Sequence, residues 1–402
     1  MRKVKLIIII IIMMLMVTGC WQYRELNDLA IISAIGIDKE EDEYLVSVQI
    51  INVKKQTKDF SGGDESPVTV YEGRGKTLGE ALNTIELESP KELYLGHIDM
   101  VVIGEETARI GLREYIDFLL RDREVRKIYP FVIAKGAKAI DLLNVLTPIE
   151  TLPSANLVSI ISTSEKTNGT ITNRTFDNVL MCLYVRGRHP GITAIEIIGP
   201  EEEGEETDNI SSTTPKTRLL ATGPAIMKDD KLLGYLTDDQ GLGYNIIRDR
   251  VISSIISFPC DDEGNYGAVK IDKPKVNLKT SVKEDEPFTD LKVDVTATLT
   301  DYNCKADLQK SKSIDKIEKW VNDEIKSILE DIIEATQKDY KSDILGFGEK
   351  LYHDHYKYWE KVEKDWDEMY SELKYKVEVK TKINNTGSIT IPAKEGGKGG
   401  DN

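Results

Sequence analysis

Hydrophobic and polar positions divide the chain into strand-like and helix-like runs. Leu29 to Ile37 and Tyr44 to Val53 are rich in Ile and Val and flank the charged segment Asp38 to Glu43, which predicts a β-hairpin or meander with an exposed turn. The polar stretch Lys54 to Pro67 reads as a mobile loop, and Val68 to Tyr71 as a strand. Thr77 then opens a helix as its N-cap, with Glu80 completing a capping box and Leu78, Ala81, Leu82 and Ile85 on the apolar face. His97 to Ile103 predicts a strand, Glu105 to Leu120 a helix, Ile128 to Ala134 a strand and Ala137 to Leu146 a short helix. Alternating elements of these lengths predict an α/β or α+β sandwich from Trp21 to about residue 137.

Beyond that point periodicity weakens. The segment 138–199, with Pro148, Pro153 and the polar run STSEKTNGTITN, reads as a small middle domain or an elaboration of the first. Glu201 to Glu206 and the polar residues after it, about 200–215, have nothing apolar to bury and read as an acidic linker. From residue 216 the pattern changes. Arg218 to Met227 and Lys231 to Leu236 predict a hairpin around Lys228-Asp229-Asp230, and Leu291, Val293, Val295, Ala297 and Leu299 alternate as in a half-buried strand. A long amphipathic helix carries Ile314, Ile317, Val321, Ile325, Ile328, Ile332 and Ala335, and Gly346-Phe347-Gly348 ends it. A second helix bears the stripe Tyr352, Tyr356, Trp359, Val362, Trp366, Met369 and Leu373, which reads as packing onto a sheet. Tyr375, Val377, Val379 and Ile383 predict a final antiparallel strand, and 394–402 a disordered tail. The expected whole is a multidomain α+β protein, with a C-terminal domain at 216–393 that lays long helices on an antiparallel sheet.

The first 19 residues form a leader. Arg2, Lys3 and Lys5 precede the apolar block Leu6 to Val17, whose 12 residues rise only about 18 Å as a helix, short of a bilayer core of about 30 Å. Val17-Thr18-Gly19-Cys20 looks like a bacterial lipobox, which makes Cys20 the expected lipid attachment site. Two acyl chains suffice for stable anchoring, since each buried methylene contributes about 0.8 kcal/mol.

Composition narrows the partners. The 402 residues carry 53 Lys and Arg against 69 Asp and Glu, a net charge of −16, and loss of the basic leader makes it more negative. Nucleic acid is therefore not an expected partner, and an anionic lipid surface repels the body of the protein. Cys182, Cys260 and Cys304 follow no framework or zinc spacing. Cys182 reads as a small buried apolar residue. One pairing among the three stays open, but three free thiols are expected.

Catalytic patterns fail on inspection. Gly75-Lys76-Thr77 imitates the end of a phosphate loop, but the required earlier glycine is Val70. His353 and His355 lie about 200° apart on a helix and do not close on one metal. No GxSxG elbow accompanies the four histidines, of which His97 begins a strand and His189 sits in a turn. Carboxylates are too numerous to be diagnostic, so a carboxylate-based hydrolase is a minor alternative. No catalytic, cofactor or metal residue is assigned.

Several blocks add a resemblance. GCWQYRELNDLAIISAIGID (Gly19 to Asp38), YEGRGKTLGEAL (Tyr71 to Leu82), LYLGHIDMVVIGEETARIGLREYIDFLLRDREVR (Leu93 to Arg126), GPAIMKDDKLLGYL (Gly223 to Leu236) and DILGFGEKLYHDHYKYWEKVEKDWDEMY (Asp343 to Tyr370) resemble, in order, the Ger(x)C family, the C-subunit lipoproteins of spore germinant receptors. The resemblance implies a three-domain α+β ectodomain on the outer face of the inner spore membrane, working with two integral-membrane partners, subunits A and B. It implies no enzyme activity, and it makes direct nutrient binding by this chain unexpected. Cys20 matches the family's lipidated cysteine, whereas Arg24-Glu25-Leu26 and Arg121-Asp122-Arg123 carry no assignable chemistry. His355-Tyr356-Lys357 replaces a common proline and implies a longer tryptophan helix. The competing reading is a substrate-binding lipoprotein of a membrane importer, but such proteins pair two similar lobes and these two halves differ.

Overall fold

A computed structural model of the chain describes residue 5 and residues 25–52, 66–122, 124–150, 152–260, 264–304, 308 and 310–385. The fold is α+β, with helices packed on two mixed sheets. The first sheet contains β1 (Leu29–Glu40), β2 (Glu43–Ile51), β3 (Val68–Gly75), β4 (Glu92–Tyr94), β5 (Met100–Gly104), β6 (Phe131–Lys135), β7 (Gly191–Ile198), β8 (Arg218–Lys228) and β9 (Lys231–Tyr235). Its order is β3-β2-β1-β5-β6-β7-β8-β9, with β4 beside β1. The strands β1, β5, β6 and β7 are parallel to one another, and antiparallel strands flank them on both sides.

Both faces of this sheet are covered, which is why its central strands are apolar without alternation. Ile35, Ile37, Val101, Ile103, Phe131 and Ile133 pack against Ile85, Tyr115, Leu119, Phe176 and Val179. On the other face Ala34, Met100, Val102, Val132 and Ala134 meet Leu142, Leu143, Leu157 and Ile161. The hairpin predicted for β1 and β2 is present. Thr77 caps the Leu78–Ile85 helix by accepting the Glu80 N–H at 3.1 Å, but Glu80 Oε2 returns to the N–H of Lys76, one residue early.

Three local expectations need correction here. The helix predicted over Glu105 to Leu120 is two helices, Glu105–Ile110 and Arg113–Arg121. Gly111, at φ 141°, breaks them, and Asp230 accepts the N–H groups of Leu112 and Arg113, each at 3.1 Å. The acidic stretch after residue 200 forms two short helices, Glu201–Gly204 and Thr207–Ser211. Asn209 is buried there, bonded to the Leu146 and Thr217 carbonyls, each at 3.0 Å. Strands β8 and β9, placed by sequence with the C-terminal half, pair with β7 in the first sheet.

The second sheet contains β10 (Ser253–Pro259), β11 (Tyr266–Asp272), β12 (Lys275–Lys283), β13 (Glu286–Tyr302) and β14 (Lys374–Asn385). Its buried face, including Ile256, Val269, Leu291, Val293 and Val295, packs on Ile317, Val321, Ile325 and Leu329 of the long helix Ser311–Glu334. Strand β14 runs parallel to β13, not antiparallel as expected, because the helices between them return the chain to the same end of the sheet. Two donors on its outer edge are taken up: the N–H groups of Thr381 and Ile383 donate to Asn322 Oδ1 (2.7 Å) and Glu318 Oε1 (2.9 Å) of that helix. The tryptophan helix is three pieces, Phe347–Asp354, Tyr356–Val362 and Trp366–Ser371. The break at His355 persists without proline, since that residue leaves helical geometry at φ −137°, ψ 54°.

The expectation of three free thiols is also corrected. Cys260 and Cys304 form a disulfide with Cα atoms 6.0 Å apart, and Cys182 is free and buried. The cysteines sit just past the ends of β10 and β13, which both pair with β11, so strand pairing brings them together.

One buried carboxylate ties a helix to the first sheet. Asp38, 3% exposed near the end of β1, accepts the N–H groups of Ala139 (2.9 Å) and Ile140 (3.2 Å) and so caps the Ala139–Asn144 helix from a distant element. Burial pushes its pKa up to about 6, against the pull of those two N–H groups.

Two measurements follow from these features. Reduction of the Cys260–Cys304 bond, which spans 44 residues, is expected to lower stability by about 4 kcal/mol in urea titrations; Cys304→Ser is expected to remove the sensitivity to reductant. Because the folded pKa of Asp38 lies above its unfolded value, native protein binds more protons between about pH 4 and pH 6, and stability falls across that window by at most about 3 kcal/mol as pH rises. Asp38→Asn is expected to remove that part of the slope, read from urea midpoints of both proteins at pH 4.5 and 7.

Candidate functional site at the seam between the two sheets

The loop Val185–Pro190, the tip of the β8–β9 hairpin and the segment Tyr340–Asp367 meet where the two sheets adjoin. At the centre is Asp343, fully buried in the run Asp343-Ile344-Leu345-Gly346-Phe347-Gly348. Its carboxylate accepts the N–H groups of Gly346 (2.7 Å), Phe347 (3.1 Å) and Gly348 (2.7 Å) and the indole N–H of Trp366 (3.1 Å). Burial raises its pKa, and the four donors oppose that rise.

The turn that Asp343 holds reaches across the seam. Its carbonyl accepts the His189 N–H at 2.9 Å, and the Glu349 N–H donates to the Gly187 carbonyl at 2.9 Å. Ser342 Oγ donates to the Met227 carbonyl (2.6 Å), and the Tyr340 hydroxyl to the Tyr235 carbonyl (3.0 Å). Gly187, at φ 74°, lies so close that a Cβ would stand 2.5 Å from the Gly348 carbonyl carbon. Side chains larger than hydrogen do not fit there.

His189 is held in one tautomer. The Asp229 N–H donates to its Nδ1 at 2.9 Å, so the other nitrogen carries the proton and faces Asp367 Oδ1 at 3.2 Å. Lys228 Nζ lies 2.9 Å from the same carboxylate. The His189 hydrogen bond, helped by Lys228 and opposed by burial, holds the Asp367 pKa down at about 2. Beside this pair a cleft of about 220 Å³ opens between Cys182, Arg188 and His189 on one side and Trp359, Glu363 and Trp366 on the other.

The sequence-assigned attachment residue, Cys20, lies outside the described residues. The structure does not bring His353 and His355 onto a common ligand: His355 Nε2 faces the Thr280 carbonyl at 3.1 Å, and the His353 ring lies against Tyr352. Gly75 ends β3 as ordinary strand. Of the predicted stripe, Trp359, Trp366 and Leu373 are buried, with Phe347 and Tyr370 beside them, as a packing role requires, whereas Tyr356 is exposed. Arg121 pairs with Asp117 on the exposed face of its own helix. Sequence reading missed the role of Asp343; an acidic residue just before two glycines, with tryptophans downstream, was the available signal.

Two family models match the chain: the spore germination protein N-terminal domain over residues 22–197, and the spore germination B3/GerAC-like C-terminal domain over residues 222–387. Spore germination protein KC of Bacillus subtilis (strain 168) is 31% identical over 98% of this chain and 98% of its own. Spore germination protein B3 of the same bacterium is 22% identical over 93% of this chain and 96% of its own. The crystal structure of the GerBC protein shares the fold, with a TM-score of 0.56 at 18% identity over 87% of this chain and 97% of that one.

Asp343→Ala leaves three backbone N–H groups and one indole N–H buried without an acceptor. It is expected to destabilise the protein by about 3–5 kcal/mol in urea titrations, with Asp343→Asn intermediate.

Proposed function

The chain belongs to the spore germination B3/GerAC-like family, and from that membership we propose that it is the lipid-anchored subunit of a nutrient germinant receptor. In this reading Cys20 carries the lipid, and the folded body sits on the outer face of the inner spore membrane. There it assembles with two integral-membrane subunits, A and B, and supports the signal that starts germination. The carrying observation is the pair of family matches in order, together with 31% identity along the whole chain.

Two features support the finer statements. The leader, with its basic start, short apolar block and VTGC ending, suits export followed by acylation. The Cys260–Cys304 bond suits an oxidising compartment outside the cytosol. Among the described residues no helix is long and apolar enough to cross a membrane, and the acyl chains supply the attachment in this reading. In this reading the subunit acts as a partner surface without chemistry of its own, and the seam, which joins two unlike sheets, supports it. That unlikeness gives the importer-type reading, with its paired lobes, no support.

Cys20→Ala is expected to abolish incorporation of labelled palmitate and to release the chain from the membrane fraction. Spores carrying it in place of the parent chain are expected to respond slowly to nutrients and normally to a non-nutrient trigger. Unchanged labelling and fractionation would refute the anchor; normal nutrient germination of a strain lacking every paralogue and this chain would refute the receptor role.

A further inference from the structure

Strands β4 and β5 run parallel to β1, and β6 parallel to β5, so all four start at one end of the first sheet. Leu29 opens β1 opposite Glu92 of β4, and it is the ninth residue after Cys20. Nine residues span at most about 32 Å when fully extended, and a body of this length is roughly 50 Å across. A lipid on Cys20 therefore holds this end of the sheet near the bilayer and leaves the opposite end beyond its reach.

Apolar side chains stand exposed at the same end. Leu87, 83% exposed, sits in the turn between the helix Leu78–Ile85 and β4. Ile128, 73% exposed, comes three residues before β6. Ile149, 89% exposed, belongs to the bend that leads into the helix Pro153–Thr167. That helix starts at this end, since Ser154 Oγ lies 3.5 Å from Asp99 Oδ2, just ahead of β5. Single apolar residues scattered over a surface are ordinary, but these are three of the four most exposed large ones among the described residues, and three separate loops bring them to one end. Their charged neighbours have both signs: Glu86 and Glu88 beside Leu87, Glu150 beside Ile149, and Arg126 and Lys127 beside Ile128. The contact they offer is apolar, not one of headgroup charge.

We propose that this end of the first sheet docks on the bilayer that holds the anchor, with Leu87, Ile128 and Ile149 entering the boundary between headgroups and acyl chains. Apolar groups of a surface-bound protein reach about 5–10 Å into that boundary, a depth that side chains on loop tips attain. The short tether makes the bilayer the surface these tips meet first, which favours it over a protein partner. The inference rests on the lipid-anchor reading and adds an orientation to it. The helix Pro153–Thr167 rises about 22 Å from the docked end and meets β10 at its far terminus, where Ser254 Oγ donates to the Asn168 carbonyl, so β10 stands clear of the lipid.

The test holds the processed chain on vesicles of neutral phospholipid, once through its own acyl group and once through a histidine tag placed before Trp21 and bound to nickel-chelating lipid. The tagged form works whether or not Cys20 is acylated, so a chain that carries no lipid overturns the anchor and leaves this inference to be decided on its own. An environment-sensitive fluorophore is attached at Leu87→Cys, Ile128→Cys or Ile149→Cys, and for comparison at Ile255→Cys, 61% exposed on β10. Cys182 is buried and Cys260 is bonded to Cys304, so the introduced thiol takes the label. All four positions are exposed, and each variant is expected to melt with the parent. At least two of the three labels at the docked end are expected to lose half or more of their emission to lipid carrying a spin label on its acyl chain, with the Ile255 position unchanged. Equal quenching at all four positions, or quenching at fewer than two of the three, would overturn the proposal. So would an emission shift at these positions without quenching by lipid, which marks contact with protein instead.

Discussion

A carboxylate with no access to water must find its hydrogen bonds within the protein, and Asp343 finds four. Three come from consecutive backbone N–H groups of the turn that follows it, and one from Trp366. The requirement runs both ways, since those donors have no other acceptor in so dry a place. The turn is therefore held tightly at the point where the long helix of the second sheet gives way to the tryptophan-bearing helices. Everything that crosses the seam hangs on that geometry. The Asp343 carbonyl meets the His189 N–H, Gly348 meets Gly187, and Trp366 is aimed into the core beside Trp359.

The two sheets differ in kind, and the seam is polar for that reason. The first is buried on both faces, and its apolar surface is already covered by its own helices. The second buries one face on the long helix and leaves alternate residues in water. Their meeting is therefore made by hydrogen bonds such as His189 to Asp367, by glycine contacts and by the Lys228–Asp367 ion pair, with the Trp359–Trp366 pair as its apolar part. Such contacts demand direction as well as proximity, so they set the orientation of one sheet on the other more narrowly than greasy packing would.

Features that depend on neighbours along the chain were legible in the sequence. The alternation from Leu291 to Leu299, the β1–β2 hairpin and the Thr77 cap are local, and the structure carries them. The general architecture, α+β with helices on mixed sheets, was legible too, and the ordered family blocks pointed to the same relatives that comparison finds. What failed was relational. The direction of β14 depends on where a long helical crossover returns the chain, and the Cys260–Cys304 bond depends on two strands sharing a third. Gly111 interrupts a run whose apolar spacing continues undisturbed, because Asp230, far along the chain, caps the second piece.

The two capped donors on the edge of β14 have a meaning beyond the fold of one molecule. An open strand edge is a template for pairing with another copy of the same chain. Glu318 and Asn322 occupy the backbone donors of Ile383 and Thr381 that a neighbouring copy would need, and Lys380 and Lys382 add like charge along the same stretch. Two side chains of one helix thus take up backbone donors at which the sheet would otherwise extend onto a second copy.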